Sequence, residues 1–271
     1  MSEQKPQVDL SVRDQSRAIF GVFDNLPEAE LRERLSLWCK SKVNSPVERD
    51  DFDLYYNTVA PRSVFVKNAP SDACLLDMGA GNGSLSIYKS WPSIARPDIK
   101  FYGTSLDPIE NEDRYEQISI SNFETTPRPF GGVDFDVMVA SHFIEHLTDV
   151  RSFIKWAASC LKPGGRIYLE WPHEFTKNMP PASFFADNGI PAFTTNFFDD
   201  STHVQTWAMD DVISIAGASN LRPESTGRIV LPYCADQMRD FSRASGDKVL
   251  GTFAVWCAVG WAQYLILAKP L

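Results

Sequence analysis

A glycine-rich stretch at residues 77–83, Asp-Met-Gly-Ala-Gly-Asn-Gly, separates a short apolar run from a segment with helical character. The apolar run, residues 73–76, predicts a strand, so the stretch forms a turn between a strand and a helix. Glycines let backbone N–H groups approach a ligand closely, and a helix N-terminus adds partial positive charge. The stretch therefore predicts a turn that binds a ligand.

The spacing of the three glycines distinguishes between two kinds of nucleotide cofactor. A dinucleotide-binding turn has its third glycine three residues after the second, but Ser84 holds that position and the third glycine comes early, at Gly83. Asp77 also lies two residues before the first glycine. This Asp-x-Gly-x-Gly-x-Gly pattern resembles the first motif of the class I S-adenosylmethionine-dependent methyltransferases. A glycine turn without a ligand is the alternative, and the elements that follow along the chain favour the binding interpretation.

A carboxylate follows the second predicted strand. Residues 101–106 predict this strand, and Asp107 comes directly after it. In a doubly wound nucleotide site, an acid in this position accepts hydrogen bonds from the ribose hydroxyls. Asp107-Pro108 could instead only start a turn, but its place behind the glycine stretch favours a role in binding the ribose.

The resemblance also implies contacts to adenine. Asn122 and Phe123 follow a predicted third strand at residues 117–120. Members of the family place a polar group here against the adenine edge and an apolar side chain over its face, although an aspartate is commoner than Ser121-Asn122. The cofactor-binding residues that the resemblance implies are Asp77, Gly79, Ala80, Gly81, Asn82, Gly83, Asp107, Asn122, Phe123, Ser141 and His142.

A strand, a helix and a second strand follow one another between residues 135 and 171. Residues 135–140 predict a buried strand, and Asp149 is the expected N-cap of an amphipathic helix. Lys162-Pro163-Gly164-Gly165 ends that helix, and residues 166–171 predict the next strand. This passage is again similar to the class I methyltransferases. The alternation predicts a doubly wound α/β fold, and the resemblance implies a Rossmann-like, mostly parallel seven-stranded sheet with an antiparallel last strand.

The chain divides into two predicted regions. Residues 1–70 predict a helical N-terminal segment or cap, and residues 71–271 the cofactor-binding core. Within the core, residues 174–205 predict a long irregular insertion, and such loops are often lids. Its apolar residues, expected to line an acceptor pocket, are Phe175, Met179, Pro180, Pro181, Phe184, Phe185, Phe193, Phe197 and Phe198.

The four histidines of the chain are predicted to line an active site, and three of them are candidate catalytic bases. His142 and His146 follow the fourth predicted strand, His173 follows the fifth, and His203 lies in the insertion. Histidine titrates near neutral pH and can take a proton from an attacking nucleophile. We rank His146 first, then His173 and His203. Each of them could instead be a packing residue, and that alternative stays open.

The segment at residues 142–146 raises the question of a metal. The family's segment after this strand ends in Glu-His, and the ubiquinone-biosynthesis O-methyltransferases carry Glu-x-x-Glu-His, which is thought to hold a metal. Here His142 replaces the first glutamate. If the segment were helical, His142, Glu145 and His146 would share one face and offer two imidazoles and a carboxylate. The preferred interpretation is that no metal binds and that Glu145 orients His146.

Composition excludes several classes of partner. The net charge of −9 and the absence of a basic patch disfavour nucleic acid and anionic membranes. The five cysteines are scattered, which is typical of thiols in a reducing compartment. The first residues do not resemble a signal peptide, and residues 251–261 are too few to span a bilayer. We therefore expect a cytoplasmic protein without a membrane partner.

These observations together predict methyl transfer from S-adenosylmethionine, with S-adenosylhomocysteine as the product. The expected acceptor is a small, aromatic or apolar molecule with a hydroxyl, amine or carbon nucleophile. Two alternatives remain: an NAD-dependent oxidoreductase on the same fold, and a non-catalytic module that binds S-adenosylmethionine. The oligomeric state stays open.

Overall fold

A computed structural model describes residues 23–122, 124–126 and 128–271 of the chain. They form two compact units, which we call the sheet unit and the helical unit. The sheet unit comprises Val47–Glu174, Asp200–Ile229 and Ala262–Leu271. The helical unit comprises the described part of Met1–Pro46, together with Phe175–Asp199 and Val230–Trp261. The boundary expected at residue 70, and with it the division into residues 1–70 and 71–271, stays a prediction.

The sheet unit contains one seven-stranded sheet, as predicted. The strands are β1 (Cys74–Met78), β2 (Lys100–Ser105), β3 (Gln117–Ile120), β4 (Phe135–Ser141), β5 (Leu161–Pro172), β6 (Arg222–Arg228) and β7 (Ala262–Ala268). Their order in the sheet is β3-β2-β1-β4-β5-β7-β6; the first five strands in this order are parallel, and β7 runs antiparallel to both β5 and β6. The reversal of strand order beside β1 makes the fold doubly wound and Rossmann-like.

The central strands are apolar on both sides because helices cover both faces of the sheet. Leu76 and Met138 pack into the core on one face, while Leu75, Val137 and Val139 pack into the core on the other. All five side chains are fully buried. The strands β1 and β4 therefore have their carboxyl ends fixed at the middle of the sheet.

The helices of the sheet unit follow the predicted pattern with one difference. Asp149 caps the predicted helix by accepting a hydrogen bond from the Ser152 N–H at 3.0 Å. The segment after the glycine stretch is only a six-residue 3₁₀ helix, Ser84–Lys89, so the helix-dipole contribution expected there is small. The α-helices of this unit are Arg49–Val59, Pro61–Lys67, Val150–Cys160 and Met209–Ala218, and its other 3₁₀ helices include Glu112–Arg114 and Ile144–His146.

The insertion predicted to be irregular has regular elements in the helical unit. Residues 175–199 of the insertion belong to this unit, where Phe185 and Phe197 are buried. The Asp199 carboxylate orders the turn by accepting hydrogen bonds from the N–H groups of Ala182, Thr195 and Asn196 at 2.9–3.0 Å. The helices of the unit are Glu28–Lys40, Ala182–Asp187, Pro232–Ser245 and Lys248–Val259, with 3₁₀ turns at Phe23–Asn25 and Phe197–Asp199.

All five cysteines are free thiols, in agreement with the absence of a predicted disulfide framework. Across the described ranges, no helix has both the length and the apolar content that crossing a membrane requires.

Candidate active site

The glycine turn that follows β1 is built from backbone conformations that favour glycine. Gly79, Gly81 and Gly83 have φ angles of +67°, +56° and +77°. A Cβ atom on Gly79 would lie 2.8 Å from the Phe143 ring, and one on Gly83 would lie 2.6 Å from Ile109. A Cβ on Gly81 would have no atom closer than 3.9 Å. The turn is therefore tightly packed at both ends and open in the middle.

Hydrogen bonds fix the turn and leave two donors available. The Ala80 N–H donates to the Thr104 carbonyl on β2 at 2.8 Å, and the Gly83 N–H donates to the Ala80 carbonyl at 2.8 Å. Among the residues that the structure describes, the backbone N–H groups of Gly81 and Asn82 donate no hydrogen bond. These two groups are free to bind an acceptor atom of a ligand.

Asp77 lies in β1, two residues before the first glycine of the turn. Its side chain is 6% exposed, and the Tyr115 hydroxyl donates to its Oδ2 at 2.7 Å. Burial raises the pKa of Asp77 to about 6, although Tyr115 and Arg62 act to lower it. The Tyr115 ring packs 3.0 Å from where a Cβ on Gly103 would lie. Asp77 thus links the end of β1 to the elements beside β2.

A cavity of about 340 Å³ lies at the carboxyl edge of the sheet, where open parallel sheets bind their ligands. Each neighbouring strand contributes to its lining: Gly79 after β1, Ser105 at the end of β2, Asn122 after β3, and Phe143 and His146 after β4. The structure therefore brings the first glycine of the turn, one predicted adenine contact and the first-ranked base to a single cavity.

Two predicted cofactor residues have a different placement. Asp107 is exposed, is not among the residues that line the cavity, and donates its N–H to Ser105 Oγ at 3.2 Å. Phe123 lies outside the described residues. Glu124, which is not among the residues predicted from the sequence, lines the cavity. Its N–H donates to Asn122 Oδ1 at 2.9 Å, so an Asn-x-Glu turn is the local signal that could have identified it.

Ser141 and His142 do not line this cavity. His142 belongs to a group of four charged residues that we call the buried charge cluster: Arg62, His142, Glu145 and Glu170. The two glutamates are buried, and Arg62 and His142 are partly exposed. Arg62 Nη1 donates to Ser141 Oγ at 2.6 Å. His142 Nε2 lies 3.0 Å from Glu170 Oε1, and His142 Nδ1 lies 3.4 Å from Glu145 Oε1. The backbone of His142 has a φ of +51°, which directs its ring between the two glutamates.

The members of the cluster shift one another's proton affinities. Burial alone would lower the pKa of His142, but Glu145 and Glu170 outweigh it and raise this pKa to about 9. Burial alone would raise the pKa of Glu170, but Arg62 and His142 outweigh it and lower this pKa to about 2. At neutral pH His142 is therefore a cation opposite the Glu170 anion. Arg62 and Glu170 are absent from the sequence predictions, because nothing near them along the chain indicates their partners.

The structure places His146 and His203 side by side. Their ring centroids are 5.0 Å apart, and the side chain of His203 is largely buried with Nε2 3.8 Å from Asp200 Oδ2. His146 Nδ1 lies 3.1 Å from the Thr202 carbonyl. His173 directly follows β5, is partly buried, and is not among the cavity-lining residues. Of the three candidate bases, only His146 lines the cavity.

The residues whose potential ligand atoms lie close enough together to bind a metal are not the set that was hypothesised. Residues 142–146 are not one helix, because only Ile144–His146 forms a 3₁₀ turn and His142 precedes it with positive φ. The hypothesis of a shared helical face is wrong. In the described part of the chain, Glu145, His146 and His203 place ligand atoms within 4.8 Å of one another. These three could hold a divalent cation, but the His142 charge already lies beside Glu145.

The raised pKa of His142 predicts a pH-dependent stability. Because the folded pKa of about 9 exceeds the ordinary value of 6.5, the contribution of His142 to the free energy of unfolding is complete below pH 6.5 and is lost as the pH rises through 9. Glu170→Gln should return this pKa toward its ordinary value and flatten the dependence. NMR titration of the ring protons and urea unfolding between pH ~6 and ~10 measure both effects. Glu224→Gln, an exposed carboxylate paired with Arg166, is the control; a wild-type pKa near 6.5 would contradict the prediction.

Comparison with known proteins agrees with the fold. A family model described as a methyltransferase domain matches residues 53–225, more than half of the chain. A ubiquinone biosynthesis O-methyltransferase of Xanthomonas axonopodis pv. citri is 28% identical over 137 residues, which cover 47% of this chain and 53% of that protein. The chain thus spans about half the length of the curated relative that it matches.

Solved structures with a similar fold have low sequence identity. A SAM-dependent methyltransferase from Archaeoglobus fulgidus has a TM-score of 0.47 and 15% identity, covering 80% of this chain and 99% of that one. A putative sarcosine dimethylglycine methyltransferase from Galdieria sulphuraria has a TM-score of 0.47 and 13% identity, covering 95% and 98%. On the family match, the chain belongs to the S-adenosylmethionine-dependent methyltransferases, and S-adenosylmethionine is its cofactor.

Proposed function

We propose that the chain transfers the methyl group of S-adenosylmethionine to a hydroxyl of a small molecule, with His146 as the base. The observation that carries this proposal is that Gly79, the first glycine of the turn, and His146 line one cavity. A base next to the cofactor site is what methyl transfer to a hydroxyl requires and what simple cofactor binding does not.

The residues of the glycine turn and of the cavity suit the parts of this cofactor. The N–H groups of Gly81 and Asn82, which belong to the turn but are not among the cavity-lining residues, are available to acceptor atoms. Ser105, Asn122 and Glu124 supply polar groups for hydroxyls and ring nitrogens, and Phe143 supplies an apolar surface. When bound, the cofactor supplies a sulfonium whose methyl carbon is already a strong electrophile. The protein then has to align the nucleophile with that carbon and exclude water.

His146 provides what an alcohol or phenol needs in addition. A neutral hydroxyl is a weak nucleophile, and an imidazole that removes its proton during attack makes it effective. An amine that arrives neutral needs alignment alone. The name of the curated relative, an O-methyltransferase of ubiquinone biosynthesis, supports an oxygen nucleophile, and the net charge of −9 favours a small molecule over nucleic acid.

Two other functions fit the observations less well. An NAD-dependent oxidoreductase would use the same kind of sheet, but the early third glycine and the family match favour S-adenosylmethionine. A non-catalytic binding module would need the glycine turn but would not need His146 at the cavity. Titration calorimetry with S-adenosylmethionine, S-adenosylhomocysteine and NAD tests the first alternative, and the His146 variant below tests the second.

Gly79→Ala should disrupt cofactor binding. The positive φ costs an alanine about 1–2 kcal/mol, and its Cβ would also press on the Phe143 ring. The turn has to shift, and affinity for S-adenosylhomocysteine should fall by about tenfold or more. Gly131→Ala is a matched control, since Gly131 has φ +72° and no atom within 4 Å of the position that a Cβ would take. Calorimetry should show that Gly131→Ala binds like wild type; equal affinity of Gly79→Ala would refute the assignment of the turn.

Asp107→Ala should weaken cofactor binding by about 1–3 kcal/mol if Asp107 accepts the ribose hydroxyls. The exposed position of Asp107 outside the cavity lining makes a comparison with Glu124→Gln informative, because Glu124 lines the cavity. Affinities for S-adenosylhomocysteine of the two variants should be measured under the same conditions. A full loss in Glu124→Gln with none in Asp107→Ala would assign the ribose contact to Glu124.

His146→Ala should lower turnover by about 10²–10⁴-fold if the acceptor is a hydroxyl. Its affinity for S-adenosylhomocysteine should change little, because the imidazole acts on the acceptor. The assay is transfer of tritiated methyl groups to a panel of hydroxybenzoates, with melting temperature measured in parallel. Turnover at the wild-type rate in a stable variant would remove His146 from the mechanism and leave His173 and His203 as candidates.

A further inference from the structure

The ring of His146 is held on one side by a single residue. Its Nδ1 atom lies 3.1 Å from the carbonyl oxygen of Thr202 and 3.0 Å from the Thr202 hydroxyl oxygen. A carbonyl oxygen can only accept a hydrogen bond, so the hydrogen between these atoms must be on Nδ1. In a neutral imidazole that carries its hydrogen on Nδ1, the lone pair available for a proton is on Nε2.

The hydrogen bonds of the Thr202 hydroxyl independently place the hydrogen of the His146 ring on Nδ1. The hydroxyl donates its hydrogen to Asp200 Oδ1 at 2.6 Å, so toward His146 it acts as an acceptor. Burial alone would raise the pKa of Asp200, but hydrogen bonds from Thr202 outweigh it and lower this pKa. Asp200 is therefore a carboxylate at neutral pH, and a carboxylate cannot donate the hydrogen in this contact.

Asp200 also fixes the position of the carbonyl. Its Oδ1 accepts the backbone N–H of Thr202 at 2.8 Å, which closes a short turn of the kind that aspartate side chains form with the backbone two residues on. The orientation of both Thr202 acceptors thus depends on Asp200. The ring of His203 packs next to that of His146.

We propose that Asp200 and Thr202 are positioning residues that hold His146 with its hydrogen on Nδ1 and its lone pair on Nε2. Free histidine in water favours the opposite tautomer, so the protein reverses the intrinsic preference. The role of this tautomer in the reaction rests on the proposed function, but the tautomer itself is a property of the chain alone.

This tautomer lets His146 take a proton from the acceptor at Nε2. The acceptor's O–H bond breaks and its proton goes to that nitrogen. The oxygen electron pair forms the new bond to the methyl carbon, and the electron pair of the carbon–sulfur bond returns to sulfur. His146 becomes an imidazolium whose Nδ1–H faces Thr202, with the Asp200 carboxylate behind the Thr202 hydroxyl. That carboxylate stabilises the positive charge as it forms.

The test measures the tautomer directly, without an acceptor or a cofactor. The full chain is labelled with ¹⁵N in its histidine rings, and long-range ¹H–¹⁵N NMR spectra distinguish a protonated from an unprotonated ring nitrogen. The chain has only four histidines, and His146→Gln assigns the signal in question. At a pH where the spectra show His146 to be neutral, we expect its hydrogen on Nδ1. A hydrogen on Nε2 in the wild-type chain would overturn the proposal.

Three variants separate positioning from general stability. Asp200→Ala should shift the His146 tautomer ratio toward Nε2–H by about 2- to 10-fold, the equivalent of one lost hydrogen bond. Asp200→Asn keeps an oxygen that accepts from both Thr202 groups and should retain the wild-type ratio. Thr202→Val keeps the carbonyl acceptor and should give a smaller shift than Asp200→Ala. An unchanged ratio in Asp200→Ala would overturn the proposal.

Two controls guard against misfolding. Asp211→Ala removes an exposed carboxylate from the sheet unit and should leave the His146 ratio unchanged. The His142 signal, from a ring with a carboxylate at each nitrogen, reports the integrity of the unit in every variant. If the tautomer is as proposed but His146→Ala keeps full turnover, the positioning stands and the assignment of His146 as the base fails, so the two ideas are tested separately.

Discussion

The ion pairing of His142 constrains the whole region between the ends of β4 and β5. A largely buried cation is costly unless its partners are close, and His142, whose side chain is 23% exposed, meets this condition with a glutamate at each ring nitrogen. The left-handed backbone at His142 that makes this possible also sets the direction of the next residues. Phe143 then packs against Gly79, and His146 comes to the cavity. The residues that directly follow His142 therefore contact both the glycine turn and the cavity.

Features that depend on local sequence could be predicted well. The glycine turn, the third strand and the Asp149 cap each follow from residues within a few positions of one another, because turn conformation and capping are local. The antiparallel β7 followed only from the family resemblance. The short 3₁₀ helix after Gly83 was mistaken for a regular helix, since both have the same apolar spacing over six residues.

Features that depend on distant partners could not be predicted. Arg62 reaches Ser141, 79 positions away, and the His146 contact to Thr202 spans 56 positions; nothing local marks either pair. The insertion was expected to be irregular because its prolines and phenylalanines lack periodicity. The Asp199 carboxylate orders the insertion by accepting hydrogen bonds from backbone N–H groups, and no sequence pattern reveals this role.

The same charge balance bears on whether His146 serves as a base or as a metal ligand. Glu145 is fully buried, and a divalent cation at Glu145, His146 and His203 would add two positive charges beside the protonated His142. Asp200 Oδ2 lies 3.8 Å from His203 Nε2, so such a cation would have a protonated imidazole on one side and a carboxylate on the other. With Nδ1 held by Thr202, His146 has one remaining lone pair, and a metal would occupy it. A metal ion and a proton would therefore compete for the same atom of His146.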